Sequence, residues 1–188
     1  ILGQGFVLTD LEAKAMLAAD VRNAEVVRPY LTGEDLNGRP DASPSRHVID
    51  FREMTIEQAS RYAMPFERVK RLVQPERARN NRKLYRDYWW QYAEKRPGMI
   101  RATAHLDRVL AITLTSNAIS PQFVSTNQVI DQTAPIFATD DHGFLAALNS
   151  NIHRVWAVKY ATTFGTGFRY SLKTAFKSFP FPETTGKL

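Results

Sequence analysis

The sequence has no cysteine among its 188 residues, which excludes disulfides and thiolate metal ligands and fits a reducing cytoplasm. It has no apolar run near the roughly 18–20 residues that span a bilayer, so no membrane partner is expected. Its histidines, His47, His105, His142 and His153, are scattered and lack the paired spacing of a metal site. No glycine-rich turn runs into Lys-Ser/Thr, and "GTGF" lacks the third glycine of a dinucleotide fingerprint. No serine sits in a nucleophile elbow. Asp140-Asp141 precedes an apolar helical stretch, where an acidic pair serves the helix start better than a cation. The first residues carry neither Met nor a basic, cleavable leader, which predicts that the chain begins inside a longer protein. No catalytic residue and no metal ligand is expected in this chain.

What is present is a globular composition, 44% hydrophobic and 23% charged, at a length suited to one sizeable core. The net charge of +6 is unevenly spread. Residues 1–60 carry a net −4, residues 61–108 a net +8, and residues 109–188 a net +2. A cationic block of that density points to a local anionic partner, or to a solvated helical face.

Along the chain, Thr9 to Glu12 and Thr55 to Gln58 have the form of capping boxes, so helices are expected after each. "EVVRPYL" and "RHVIDF" read as strands, with Arg46 and Asp50 as a structural pair in the second. "TGEDLNGRPDASPS" reads as a loop, with Gly33 and Asn37 suited to a turn. Pro65 fits the first turn of a helix over "FERVKRLVQ". Residues 81–95 read as one long helix closed by Pro97-Gly98. Then "MIRATAHL", "RVLAITLT", "QFVSTNQV" and "APIFAT" read as strands paired in sequence. "DHGFLAALNS" and "IHRVWAVKYA" read as helices, with Asn149, Ser150, Asn151 and His153 as helix-end or structural residues. "TTFGTGFRYS" reads as a Thr/Gly-rich loop. The expected class is α+β: a helical first half, then a mixed or antiparallel sheet with flanking helices in a single domain over 1–188. Its parts are an opening segment 1–60, a basic helical segment 61–98 and a strand-rich segment 99–188.

The stretch "RKLYRDYWWQYAEKRP" mixes cations with flat rings. On a helix, Tyr85, Trp89 and Tyr92 share one face and suit a core better than a base-stacking platform. Arg79, Arg82, Lys83 and Arg86 fall on the opposite face and are the candidates for phosphate contact.

Five phrases carry a more specific signal. "RPYLTGEDLNGRP" (28–40), "SRHVIDF" (45–51), "VQPERARNNRKLYRDYWWQYAEKRPGM" (73–99), "LNSNIHRVWA" (148–157) and "FRYSLKTAFKSFPFP" (168–182) follow in this order. Together they resemble the target-recognition region of MmeI-like adenine-specific DNA methyltransferases, found in single-chain type II restriction–modification enzymes. The resemblance implies a duplex-DNA recognition module. An N-terminal methyltransferase domain of the same parent would use S-adenosylmethionine, and some parents would also carry an endonuclease domain. This chain lacks the Asn/Asp-Pro-Pro-aromatic motif that holds a flipped base, and "FPFP" lacks its polar first residue. No cofactor is therefore expected in this fragment. Family base-reading positions fall just before "RYS", here Gly165, Gly167 and Arg169; relatives carry charge where this chain has the two glycines. A second family reading area corresponds to Ser125–Gln132. The polar groups suited to reading base edges are Thr115, Asn117, Ser125, Thr126, Asn127, Thr163, Thr166 and Arg169, with Ser116 and Thr162 beside them. The alternatives are an RNA-binding module and a protein-interaction domain without catalysis.

Overall fold

The computed structural model describes residues 4–116, 119–164 and 167–182, with 162–164 and 167–168 described by their backbone alone. In chain order the first elements are β1 (Val7–Leu8), α1 (Asp10–Ala19), β2 (Val27–Leu31), α2 (Gly33–Gly38), β3 (Arg46–Ile49) and α3 (Ile56–Ala59). There follow α4 (Ala63–Leu72), α5 (Gln74–Ala78), α6 (Lys83–Asp87) and α7 (Pro97–Thr103). The strand-rich part holds β4 (Arg108–Ala111), β5 (Thr115–Ser116), β6 (Gln122–Ser125), β7 (Val129–Ile130) and β8 (Ile136–Phe137). It closes with α8 (His142–Asn149), α9 (Asn151–Tyr160), β9 (Thr162–Phe164), β10 (Gly167–Arg169) and a π-helical turn over Leu172–Phe176. This mixture of helices and sheets is the α+β class expected from the sequence.

The chain divides into two compact units. The first takes Ile1–Leu31, Pro44–Gly98 and Asn127–Val129. Its sheet has the order β1-β3-β2-β7, with β3 antiparallel to both β1 and β2. Both capping boxes form: the Thr9 and Thr55 hydroxyls accept from the Glu12 and Gln58 amides, and those side chains accept in return. The apolar faces of α1 and α4 and the sheet then bury Phe6, Leu8, Met16, Val27, Ile49, Phe51, Phe66 and Val69 in one cluster.

The long helix expected over 81–95 does not form. Helical structure ends at α6, and Tyr88 takes a non-helical conformation. The reason lies in four consecutive side chains. Trp89, Trp90 and Gln91 are buried, and Tyr92 packs against the same core. A helix turns successive residues by about 100°, so it cannot point four neighbours inward. An irregular segment can. It is fixed by the Trp90 indole and the Gln91 amide, which both donate to the Met54 carbonyl (2.9 and 2.8 Å), and by the Tyr92 hydroxyl, which donates to Ile49 (2.8 Å).

The second unit takes Thr32–Ser43, Met99–Thr126 and Ile130–Leu188. It carries two antiparallel sheets, ordered β6-β4-β8 and β5-β10-β9, so its strands are not all paired in sequence. Three local expectations are corrected here. "TGEDLNG" is helix α2, because the Thr32 amide and hydroxyl both reach the Asp35 carboxylate (2.9 and 2.8 Å), a capping box with Asp in place of Glu. "MIRATAHL" is largely helix α7: Pro97 opens it without needing an amide bond, and the Thr103 hydroxyl donates back to the Met99 carbonyl at 3.0 Å. "TTFGTGFRYS" supplies paired strands β9 and β10 rather than a loop.

Gly33 has no room for a side chain. A Cβ there would lie 2.8 Å from the backbone oxygen of Thr133, and the Gly33 amide donates to the Thr133 hydroxyl at 3.0 Å. Gly33→Ala should therefore destabilise the second unit by about 1–3 kcal/mol, the cost of overpacking against backbone that cannot yield. Denaturant unfolding of this variant against wild type checks it; an unchanged midpoint would show that the backbone there relaxes freely.

Candidate nucleic-acid interface

In the first unit the cations of the basic block divide into two sets. Arg68 and Arg77 turn inward. Arg68 donates to the carbonyls of Gly5 and Val7 (3.2 and 3.0 Å) and to Glu12 (2.5 Å), tying α4 to the start of the chain. Arg77, 6% exposed, lies 5.2 Å from the Phe6 ring centre and donates to the carbonyls of Trp89 (3.2 Å) and Gln91 (2.5 Å), with a longer approach to Tyr88 (3.4 Å). Burial pulls the pKa of its guanidinium down. Neither residue is available to a ligand, and the charge pattern alone gave no sign of it. Lys95 and Lys70 are neutralised by Glu53 (2.7 Å) and Glu67 (3.7 Å).

The second set is exposed: Arg79 caps α5, Arg82 precedes α6, and Lys83 and Arg86 lie within it. Arg82 donates to the Tyr85 hydroxyl (3.0 Å) with its guanidinium 5.4 Å from that ring centre. Arg86 donates to the Asn80 carbonyl (2.6 Å). All four candidate phosphate ligands thus sit on one short α5–α6 stretch, although not on the long helix from which they were read. The rings beside them do not form a stacking platform. Trp89 and Trp90 are buried and only Tyr88, 47% exposed, offers a face. A cleft of about 630 Å³ beside Tyr85, Tyr88 and Trp90 carries Glu53 and Glu57 against Arg77 and Lys95, so it offers a phosphate no excess of positive charge.

In the second unit the register does what spacing could not indicate. Arg169 of β10 pairs with Thr115 of β5 on one side and with Thr162 of β9 on the other. Directly paired residues on an antiparallel sheet share a face, with Cβ atoms about 5 Å apart. Thr115 and Arg169 are both exposed, so two expected reading groups 54 positions apart in sequence become neighbours. Thr163 is one register step away, opposite Phe168. Asn117 and Thr166, like Gly165, lie outside the described residues.

This sheet is held from two sides. The Asn37 amide donates to the Thr115 carbonyl (3.2 Å) while its oxygen accepts from the Thr113 hydroxyl (2.9 Å), so α2 supports β5. Tyr170, next to Arg169, donates its amide to Leu114 (2.7 Å) and hydrogen-bonds His153 Nε2 through its hydroxyl (3.0 Å). His153 Nδ1 meets the Leu148 carbonyl at 2.7 Å, which makes Nδ1 the protonated nitrogen and Nε2 the acceptor. Burial lowers the pKa of His153 and raises that of Tyr170. His153 is structural, as expected, and Ser150 caps α9.

The Ser125–Asn127 run is split. Ser125 ends β6, opposite Arg108, and is exposed. The Thr126 hydroxyl donates to the Leu106 carbonyl (2.7 Å), which leaves its oxygen as an acceptor only. Asn127 is exposed and belongs to the first unit. The expected Arg46–Asp50 pair is corrected: Asp50 faces Arg28 at 3.6 Å and accepts from the Arg52 amide at 3.0 Å. Arg28 and Asp50 come from neighbouring segments of the sheet and meet beside each other, a partnership that separation in sequence conceals. Asp141 caps α8 through the Gly143 amide (2.7 Å), and no group of metal-ligating side chains occurs among the described residues. No described helix is long and apolar enough to cross a membrane.

Comparison with known proteins shows the family and the fold. Residues 2–183 match the family model described as MmeI, target recognition domain. The fold is similar to part of the type IIL restriction–modification enzyme MmeI, solved in complex with DNA, with a TM-score of 0.72 at 18% identity. That match covers 94% of this chain and 23% of the MmeI chain, and at such identity it speaks for the fold. No curated protein matches the chain.

Proposed function

Since the chain belongs to the MmeI target recognition domain family, we propose that it selects the duplex-DNA sequence on which a longer restriction–modification protein acts. The observation that carries this reading, beside the family, is the pairing of exposed Thr115 and Arg169 on one sheet face. A threonine hydroxyl and an arginine fork read base edges in the major groove. Arg79, Arg82, Lys83 and Arg86 supply sequence-independent attraction to phosphates. The MmeI chain is much longer than this one, and its name is that of a restriction–modification enzyme in complex with DNA. We propose further that the parent of this chain carries an adenine methyltransferase domain N-terminal to it. That domain holds S-adenosylmethionine and works in the cytoplasm. No residue described above is assigned to the cofactor. The buried Trp89 and Trp90 weigh against the alternative of an RNA module, which needs exposed rings for unpaired bases.

In the intact protein, replacing Arg82, Lys83 and Arg86 by Ala should weaken binding to every duplex alike. It should also reduce the slope of log affinity against log salt by roughly 2–3, about 0.9 for each phosphate no longer neutralised. Arg169→Ala should instead change which sequence is preferred. A wild-type protein that binds no duplex more tightly than any other, or that prefers single-stranded RNA in competition, would defeat the proposal.

A further inference from the structure

Arg108, at the start of β4, is exposed, yet it is held in place. Its guanidinium carbon lies 4.2 Å from the centre of the Phe123 ring. Its Nη2 is 2.9 Å from His142 Nε2. The Phe123 and His142 rings meet edge to face with centres 5.1 Å apart, so the three side chains form one packed group. A guanidinium only donates, which makes Nε2 of His142 the acceptor. No carboxylate among the described residues pairs with Arg108.

Holding an exposed arginine this way costs rotamer freedom. A phosphate ligand gains little from it, because a charge attracts phosphate over a wide range of angles. A base edge gains much, because two parallel donors must meet two fixed acceptors. Nη2 carries two protons, one on each two-donor edge of the guanidinium. Donation of one to His142 therefore leaves one complete edge, and the ring beneath sets its plane. The acceptor pair matching it in the major groove is N7 and O6 of guanine. Exposed Ser125, the register partner of Arg108, lies beside it.

We propose that Arg108, oriented by Phe123 and His142, reads a guanine through N7 and O6 in the duplex this chain recognises. The inference rests on the duplex-DNA function proposed above. Its test is selection by the intact protein from a randomised duplex library, comparing wild type with Arg108→Gln and Phe123→Leu. Glutamine lacks the two parallel donors and suits adenine, so Arg108→Gln should lower the preference for guanine at one position roughly 5- to 150-fold, with other positions unchanged. Phe123→Leu keeps the arginine but removes its stacking surface, and should blur the same position by a smaller factor. If Arg108→Gln weakens all sequences equally, or alters neither preference nor affinity, Arg108 is not a reader, while the recognition function stands. If wild type selects no sequence at all, the recognition function fails and this inference with it.

Discussion

Arg77→Ala should destabilise the first unit by about 2–4 kcal/mol, the cost of leaving two buried carbonyls without their charged donor. The substitution removes the donor shared by the Trp89 and Gln91 carbonyls and strips the cation from beneath Phe6. Those carbonyls lie outside any helix, and the backbone bond within the segment, from the Gln91 amide to the Tyr88 carbonyl (3.1 Å), reaches neither of them. Arg77→Lys should recover only part of the loss, because an ammonium cannot span the same carbonyls with a planar fork. With Trp156 of the second unit replaced by Phe, the fluorescence of Trp89 and Trp90 reports denaturant unfolding of this segment. Arg82→Ala is the control. Its side chain is exposed, so it should leave the unfolding midpoint in place while weakening DNA binding. Equal stability of Arg77→Ala and wild type would mean that the segment is held by its apolar packing and its bonds to Met54 and Ile49 without Arg77.

His153→Ala should cost the second unit about 3–4 kcal/mol, combining a buried cavity with the loss of two hydrogen bonds. It leaves the buried Tyr170 hydroxyl and the Leu148 carbonyl without their partner and removes a ring packed edge-on against Phe179 with centres 4.7 Å apart. Tyr170→Phe, which keeps the ring, should cost about 1–2 kcal/mol. The same pair gives the unit a pH window. The pKa of folded His153 lies below 6.5, so the unfolded chain takes up a proton first as pH falls. Its contribution is intact above about pH 6.5 and lost as pH falls toward the folded pKa, by up to about 1.4 kcal/mol per pH unit. Folded Tyr170 holds its proton above the usual value of 10, so its contribution is complete below pH 10 and declines as pH rises beyond it. Unfolding free energies measured between about pH 5 and 11 should fall at both ends. In Tyr170→Phe the alkaline fall should be shallower. A wild-type curve that is flat from about pH 5 to 7 would show that His153 titrates normally.

Much of this was legible in the residues alone. The capping boxes at Thr9 and Thr55 are local, made between residues three apart, and both formed. The strands of "RPYL" and "RHVI", the helices after Asp141 and Ser150, and the inward role of Trp89 and Tyr92 followed from composition and period; the burial of Trp90, off that helical face, did not. The ordered phrases indicated the family, whose model then matched nearly the whole chain. The misreadings have separate causes. The helix expected over 81–95 was a propensity judgement, and propensity amounts to tenths of a kcal/mol per residue against several for burying two tryptophans. "MIRATAHL" lacked a strong period in either direction. Arg79, Arg82, Lys83 and Arg86 are exposed although their helix does not form, because exposure follows charge more closely than it follows secondary structure.

The sequence by itself determined the chemical inventory: no thiol, no phosphate-binding loop, a dense cationic block and a polar, threonine-rich second half. It could not distinguish Arg77, which is spent inside the protein, from Arg79, which is exposed; both are arginines of one basic stretch, and only the carbonyls of residues 88–91 separate them. Nor could it place Thr115 beside Arg169, or Arg108 over Phe123. Those meetings are made by strand register, which depends on backbone pairing between distant segments and leaves no periodic trace in either one.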